Sequence, residues 1–475
     1  MRFFRRLLKM MGWLFLAVSG LFAVVFIALI VANWQDDPLS EATQQLLHYT
    51  PPTEADLQGN GYLILMGLDA PAQNDAIADA IALGRQRLTR EIERRRWVEE
   101  HGDATEGMPP FITTKDVVVS NLSKTLRCPP DQTDCFGWYE QRRAEVETSL
   151  QKDQVLLQRL KAIAHAEQFN DPTPAYLLWW TPRFDLLVHG HESWLAQASL
   201  LWMEGQPQQA LMVAQEALEL RKRLAYRSNN LLASMIALAM QYRELRWFRD
   251  ANAHLSPQMS VEIAQRIENM LQTPPASLHE SLEGEKRFVA SILYSLGQTK
   301  HAPTPLSPLD EFPAWWQHLL DLAYLPQQTL NLFVDRVSQM QTISDLSPHQ
   351  QEATFAGARH RREEEPCSYL NFWKLRNVVG FCMLGFSPDY QEYFQHVADM
   401  EGYRRLVLLQ HRAIMQQMTL ADMPDWLAKT PSELHNPYTL QPMQWDADSG
   451  SLVFEGHGKQ SQHSDGKPLY RIVVK

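Results

Sequence analysis

The short patterns that announce most enzymes are missing from this chain. It contains no Gly-x-Ser-x-Gly, no Gly-x-x-x-x-Gly-Lys, no Gly-x-Gly-x-x-Gly and no His-Glu-x-x-His. Those absences remove sequence support for a nucleophile elbow, a phosphate loop, a dinucleotide fold and a helix-borne zinc pair. Cysteine is scarce, 4 in 475 residues, and no two stand at Cys-x-x-Cys spacing, which weakens zinc and thiol-redox readings alike. Positive charge is in deficit: 44 Lys and Arg face 55 Asp and Glu, a formal net charge of −11. Nucleic acid selects basic faces, so this balance argues against a nucleic-acid partner. It argues equally against a body adsorbed flat on anionic lipid.

Uncharged apolar sequence is concentrated in one place. Residues 10–32 carry no charged side chain; Arg2, Arg5, Arg6 and Lys9 precede them, and Trp34, Asp36 and Asp37 follow. At ~1.5 Å of rise per residue, a helix of that length matches a hydrocarbon core of ~30 Å. The basic flank is expected to stay in the cytoplasm, which sends the rest of the chain across the membrane. A cleaved signal is the rival reading, but it needs a shorter apolar core of roughly 7–15 residues and a small-x-small cleavage site. Ile30 stands where that site requires a small residue. A pilin-like leader would need a Gly-Phe-type processing site and an early Glu, and neither is present. The expectation is a single-pass bacterial inner-membrane protein with its bulk in the periplasm.

An oxidising compartment suits disulfides. Cys128, Cys135, Cys367 and Cys382 all follow the apolar run, and four cysteines allow three connectivities. The two local pairs are favoured. Cys128–Cys135 would pin a polar turn containing Pro129, Pro130, Asp131 and Asp134. At Cys382, set among Val378, Val379, Phe381, Met383 and Leu384, a buried free thiol competes with a bridge to Cys367.

Periodicity makes the fold mainly α: a single transmembrane helix, an irregular helical bundle or solenoid, and a small C-terminal β-hairpin cap. The expected divisions are 1–9, a basic cytoplasmic N-terminus; 10–32, the membrane helix; 33–72, a membrane-proximal linker. Then come 73–302 and 303–435, two parts of a helical body parted by Pro303, Pro305, Pro308 and Pro313, and 436–475, the cap. Over 75–101, Ile77, Ile81, Leu88 and Ile92 fall at helical spacing among many Arg and Glu, which predicts a solvated face with internal ion pairs. Residues 140–169 predict one amphipathic helix. Within 193–255, Trp194, Ala198, Leu201, Gly205, Ala210, Ala217 and Leu220 fall where a tetratricopeptide hairpin places its bulky, small and turn residues. The pattern does not recur at the same offset. Met443, Trp445, the Asp448-Ser449-Gly450 turn and Leu452, Val453, Phe454 predict a hairpin, with Tyr470, Ile472 and Val473 as a third strand.

Several segments together resemble a family of uncharacterised, membrane-anchored bacterial proteins with a helical exported body. They are residues 205–220 (GQPQQALMVAQEALEL), 255–271 beginning Leu-Ser-Pro, 283–296 beginning EGEKR, Asn377-Val378-Val379-Gly380 with the step from Pro388 to Tyr390, and Asn436-Pro437-Tyr438-Thr439. The resemblance implies location and architecture and no reaction. The last segment is also similar to the C-terminal part of type II secretion major pseudopilins. Residues 455–459 lack the acidic cluster a calcium ion requires, so that family's calcium site is not carried over.

The most metal-like cluster is His189-Gly190-His191-Glu192, expected to be a loop before a helix starting at Ser193, since a site would need a further ligand. His360, Arg361, Arg362, Glu363, Glu364 and Glu365 read as a solvated loop. Glu204, Glu216 and Glu219 are candidate acids with nothing around them to raise a pKa. Of the pairs Trp179-Trp180 and Trp315-Trp316, one member of each is expected in the core and the other at a contact surface. No catalytic residue, metal or cofactor is assigned, and oligomeric state stays open. A non-enzymatic envelope protein that binds another protein or a peptide is favoured; a peptidoglycan or peptide hydrolase using His189 and His191 is the alternative.

Overall fold

The computed structural model describes residues 2–101, 106–114, 127–176, 180–227, 231–255, 261–298, 318, 320–359, 376–385, 389–458 and 468–474. The first helix, α1 (Arg2–Ala32), contains the one stretch among the described residues long and apolar enough to cross a membrane: Lys9–Ala32, 24 residues, none of its apolar window buried in the rest of the protein. Three short helices follow, α2 (Glu41–Leu47), α3 (Glu54–Leu57) and α4 (Gly61–Met66). Each starts at a residue whose side chain accepts from the first-turn backbone: Ser40, Thr53 and Asn60. This segment is packed onto the body rather than strung out from it.

The arginine-rich helix α5 (Ala76–His101) lies across α4. Contact is close because Gly84 faces α4; a methyl there would overlap the Leu63 carbonyl. Its expected solvated face is only part of the answer. Arg90–Glu93 (3.1 Å) and Arg95–Glu99 (2.7 Å) are internal ion pairs. Arg87, Glu91 and Arg94 are buried. Arg87 pairs with Asp69 and donates to Met66 O (2.6 Å), Arg94 Nε donates to the Tyr176 hydroxyl (3.0 Å), and that hydroxyl donates to Glu91 (2.6 Å). Chain segments remote in sequence cover this face and supply its partners.

Residues 140–169 do not form one helix. After α6 (Cys135–Glu140) come α7 (Arg143–Lys152) and α8 (Gln154–Ala164), broken at Asp153, whose buried carboxylate takes His189. A tertiary hydrogen bond here overrides helical periodicity. The stack α9 (Phe184–Met203), α10 (Pro207–Arg227) and α11 (Leu231–Ala253) occupies the predicted helical centre. Gly205, at φ +74°, makes the turn between α9 and α10, and buried Ala198, Ala210, Ala214 and Ala217 let the helices approach. Helix α9 begins before His189, so the cluster expected in a loop is helical.

Beyond them lie α12 (Val261–Leu271), α13 (His279–Gln298), α14 (Pro326–Ser344), α15 (Pro348–Arg359), α16 (Val378–Gly385), α17 (Tyr390–Met415) and α18 (Met423–Ala428). The prolines of 303–313 fall outside the described residues. A three-stranded antiparallel sheet, β1 (Gln444–Asp446), β2 (Ser451–Glu455) and β3 (Leu469–Val473), closes the chain as expected, with Trp445 opposite Leu452 and Leu452 opposite Ile472. One large core joins α4, α5, α8 to α11, α17 and the sheet; a second joins α13, α14 and the start of α17 around Leu282, Phe333 and Phe394.

Candidate functional site

A cavity of about 1060 Å³ opens where the segment after α1 meets α13. One wall is the end of α2 with irregular residues 48–52; the other is α13, through Glu285, Phe288 and Ile292, with Val334 and Ser338 from α14. A neighbouring cavity of about 770 Å³ continues it toward the end of α5, and the two share Leu47, His48, Arg95, Ala175 and Ser291.

Specific bonds hold the walls. Tyr49 donates its hydroxyl to Pro172 O (2.9 Å), Ser291 Oγ donates to Ala175 O (2.7 Å), and Arg95 Nη2 donates to Leu47 O (3.0 Å). The Arg95 guanidinium sits 4.8 Å from the Tyr49 ring centroid, a cation–π contact that ties α5 to α2. Burial pushes the Tyr49 hydroxyl up to about 12, so it stays a neutral donor.

Two acidic residues of α13 line this cavity, and they are in different states. Glu283 takes Lys286 Nζ at 2.6 Å and Gln341 Nε2 at 3.2 Å; burial works to raise its pKa, and these partners hold it below the ordinary range. Glu285 has no hydrogen-bond or ion-pair partner among the described residues, and burial raises its pKa. This carboxyl beside Phe288, Ile292 and half-exposed Leu232 makes the cleft amphipathic.

The residues singled out from sequence do not meet here. His189 and His191 leave α9 in different directions: His189 Nε2 donates to Asp153 (2.6 Å), and His191 Nε2 donates to Glu244 (3.0 Å), which also takes Arg221 Nε at 2.7 Å. All five are buried. Burial works to raise the Glu244 pKa, but Arg221 and His191 outweigh it and hold the carboxylate below its usual range. Glu192 pairs outward with Arg243 (2.7 Å) and Arg127 (3.2 Å). Among the described residues no three His, Cys, Asp or Glu side chains are grouped as metal ligands. Glu204, Glu216 and Glu219 sit in ion pairs with Arg143, Lys161 and Lys222.

Trp180 is half-buried on the main core, its backbone N–H donates to Glu91 (3.1 Å), and its ring carries the Arg87 guanidinium at 4.9 Å. Trp179, Trp315, Trp316 and the run 360–365 lie outside the described residues. Cys128 and Cys135 form a disulfide, with the Arg246 guanidinium 3.2 Å from Cys135 Sγ. Cys382 is disulfide-bonded; Cys367 lies outside the described residues.

Sequence reasoning missed Tyr49, Arg95, Glu285 and Ser291 as a group. Their separation along the chain hides them; the one available signal was Glu285, within the EGEKR segment. No protein-family model matches the chain, and neither a curated protein nor a solved structure matches it.

Proposed function

We propose that this chain is a single-pass protein of the bacterial inner membrane whose body lies in the periplasm and binds another envelope protein, or a peptide segment of one, without chemistry of its own. The observation that carries this reading is the cleft between residues 42–52 and α13: amphipathic walls and a carboxyl, Glu285, with no partner among the described residues. A cavity of about 1060 Å³ has room for a few side chains of an inserted segment. Glu285 then selects a Lys or Arg set beside an apolar residue. The acidic chain supports a partner with a basic segment, and the Cys128–Cys135 bridge suits an oxidising compartment.

The test is site-specific photocrosslinking in intact cells. A crosslinker at Leu232, 49% exposed at the cleft, is expected to trap a discrete partner that one at Val261, 78% exposed on α12, does not. Glu285→Gln should weaken that product. Identical products from the two positions would remove the cleft from the account.

A further inference from the structure

The junction between anchor and body is bonded atom by atom. Helix α1 ends in carbonyls that no further turn can satisfy. Asn33 Nδ2 donates to Leu29 O (2.9 Å), and Arg376 donates to Ala32 O (2.9 Å), Gln35 O (3.2 Å) and the Asp37 carboxylate (2.7 Å). Asn33 Oδ1 accepts from Asn377 N (2.7 Å), and the Asp36 carboxylate accepts from Gln327 N (2.8 Å) and Gln328 N (3.0 Å), capping α14. The body therefore sits on the last turn of the anchor. Whatever flanks that turn is held at the edge of the bilayer.

That flank is apolar. Trp34 is 82% exposed and Leu322 37%. Helix α16 starts one residue past Asn377, carries no charged side chain, and is tied beside Leu322 because Val379 N donates to Ala323 O (3.2 Å). Val378, Val379 and Phe381 are half-buried yet belong to no hydrophobic core formed by the described residues. Asp36, Asp37 and Arg376 are already committed to the junction.

We propose that the body makes a second, peripheral contact with the bilayer, in which Trp34, Leu322 and the start of α16 lie at the boundary between headgroups and acyl chains. This rests on the reading that α1 spans the membrane. Tryptophan favours that boundary. The chain is acidic and the contacting side chains, Trp34, Leu322 and the start of α16, are uncharged, so the contact is hydrophobic and independent of anionic lipid. Its consequence is orientation: the cleft is presented at a fixed attitude to the membrane.

The full-length protein supplies the test, since none of its described cysteines is free and an introduced one can be labelled selectively. A fluorophore at Leu322→Cys, in phosphatidylcholine vesicles, is read against phosphatidylcholine carrying a nitroxide quencher, placed shallow for the rim positions and mid-chain for Val24. Val24→Cys within the anchor and Val261→Cys on α12 are the references, and Trp34→Cys repeats the rim measurement should the first variant misfold. Quenching at the rim several-fold above that at Val261, unchanged by salt or added phosphatidylglycerol, is expected. Rim quenching equal to that at Val261, with Val24 strongly quenched, overturns the rim and leaves the anchor standing. So does a rim label shielded from aqueous iodide but not reached by nitroxide, the mark of a second protein copy. Absent quenching at Val24 overturns the anchor and the rim together.

Discussion

Two histidines one residue apart on α9 serve different carboxylates, because side chains at i and i+2 on a helix point some 200° apart. Both partners are buried, so each pair is an all-or-none commitment. Glu244→Gln leaves the Arg221 guanidinium buried without its counter-charge, and a loss of about 3–5 kcal/mol in denaturant unfolding is expected. The Glu244 pKa is depressed in the fold. Its contribution is thus present above the unfolded carboxylate pKa and lost as pH falls through the folded one, so the gap between wild type and variant should narrow in acid. A gap constant from neutral pH into the acid range would refute the ion-pair account.

Glu285 carries the opposite sign. Burial raises its folded pKa, so its contribution is present below the unfolded pKa and disappears as pH rises through the folded value. Glu285→Gln should therefore raise Tm above wild type near neutral pH, by about 2 °C, and lose that advantage in acid. Equal Tm values throughout would mean that Glu285 has a partner. A stability gain on deleting this charge would show that Glu285 is not retained for stability.

At the scale of elements, α4 and α5 meet backbone to backbone. Gly84→Ala puts a methyl into the Leu63 carbonyl, an atom of the main chain with no rotamer to yield. A cost of about 1–3 kcal/mol is expected, with faster hydrogen exchange over residues 61–66 than elsewhere. Exchange unchanged in α4 would show that the two helices separate without cost. The same principle of remote partners explains the break at Asp153 and the buried Arg87 and Arg94. Helical periodicity reports which residues face inward, but an arginine can face inward when a distant carbonyl or hydroxyl receives it.

At the scale of the molecule, the proposed topology makes its own forecast. A C-terminal alkaline phosphatase fusion should be active in cells and a cytosol-dependent fluorescent reporter dark; the reverse pattern would place the body in the cytoplasm and deprive the cleft of its proposed partners. The long apolar helix was legible from residues 10–32 because its length and composition are written in consecutive residues. The α9–α10 hairpin and the terminal sheet were legible because a turn glycine and alternating apolar residues act within a few positions of themselves. Helix α15 was not, having too few apolar residues to declare a face, and α5 was misjudged at Arg87, Glu91 and Arg94.

The cleft belongs to another order of information. Tyr49, Arg95, Ala175 and Ser291 come from four separate stretches, and nothing in their local sequence refers to the others. Composition and short-range pattern were enough for what depends on near neighbours: the long apolar first helix, the helical class, the strand cap and the lack of familiar catalytic motifs. Which charges are buried, which carboxyl has no partner among the described residues and how the body is seated on α1 are settled by contacts between residues up to hundreds of positions apart. Those contacts exist only once the chain has packed, when burial makes every unpaired polar group costly enough to choose its neighbour.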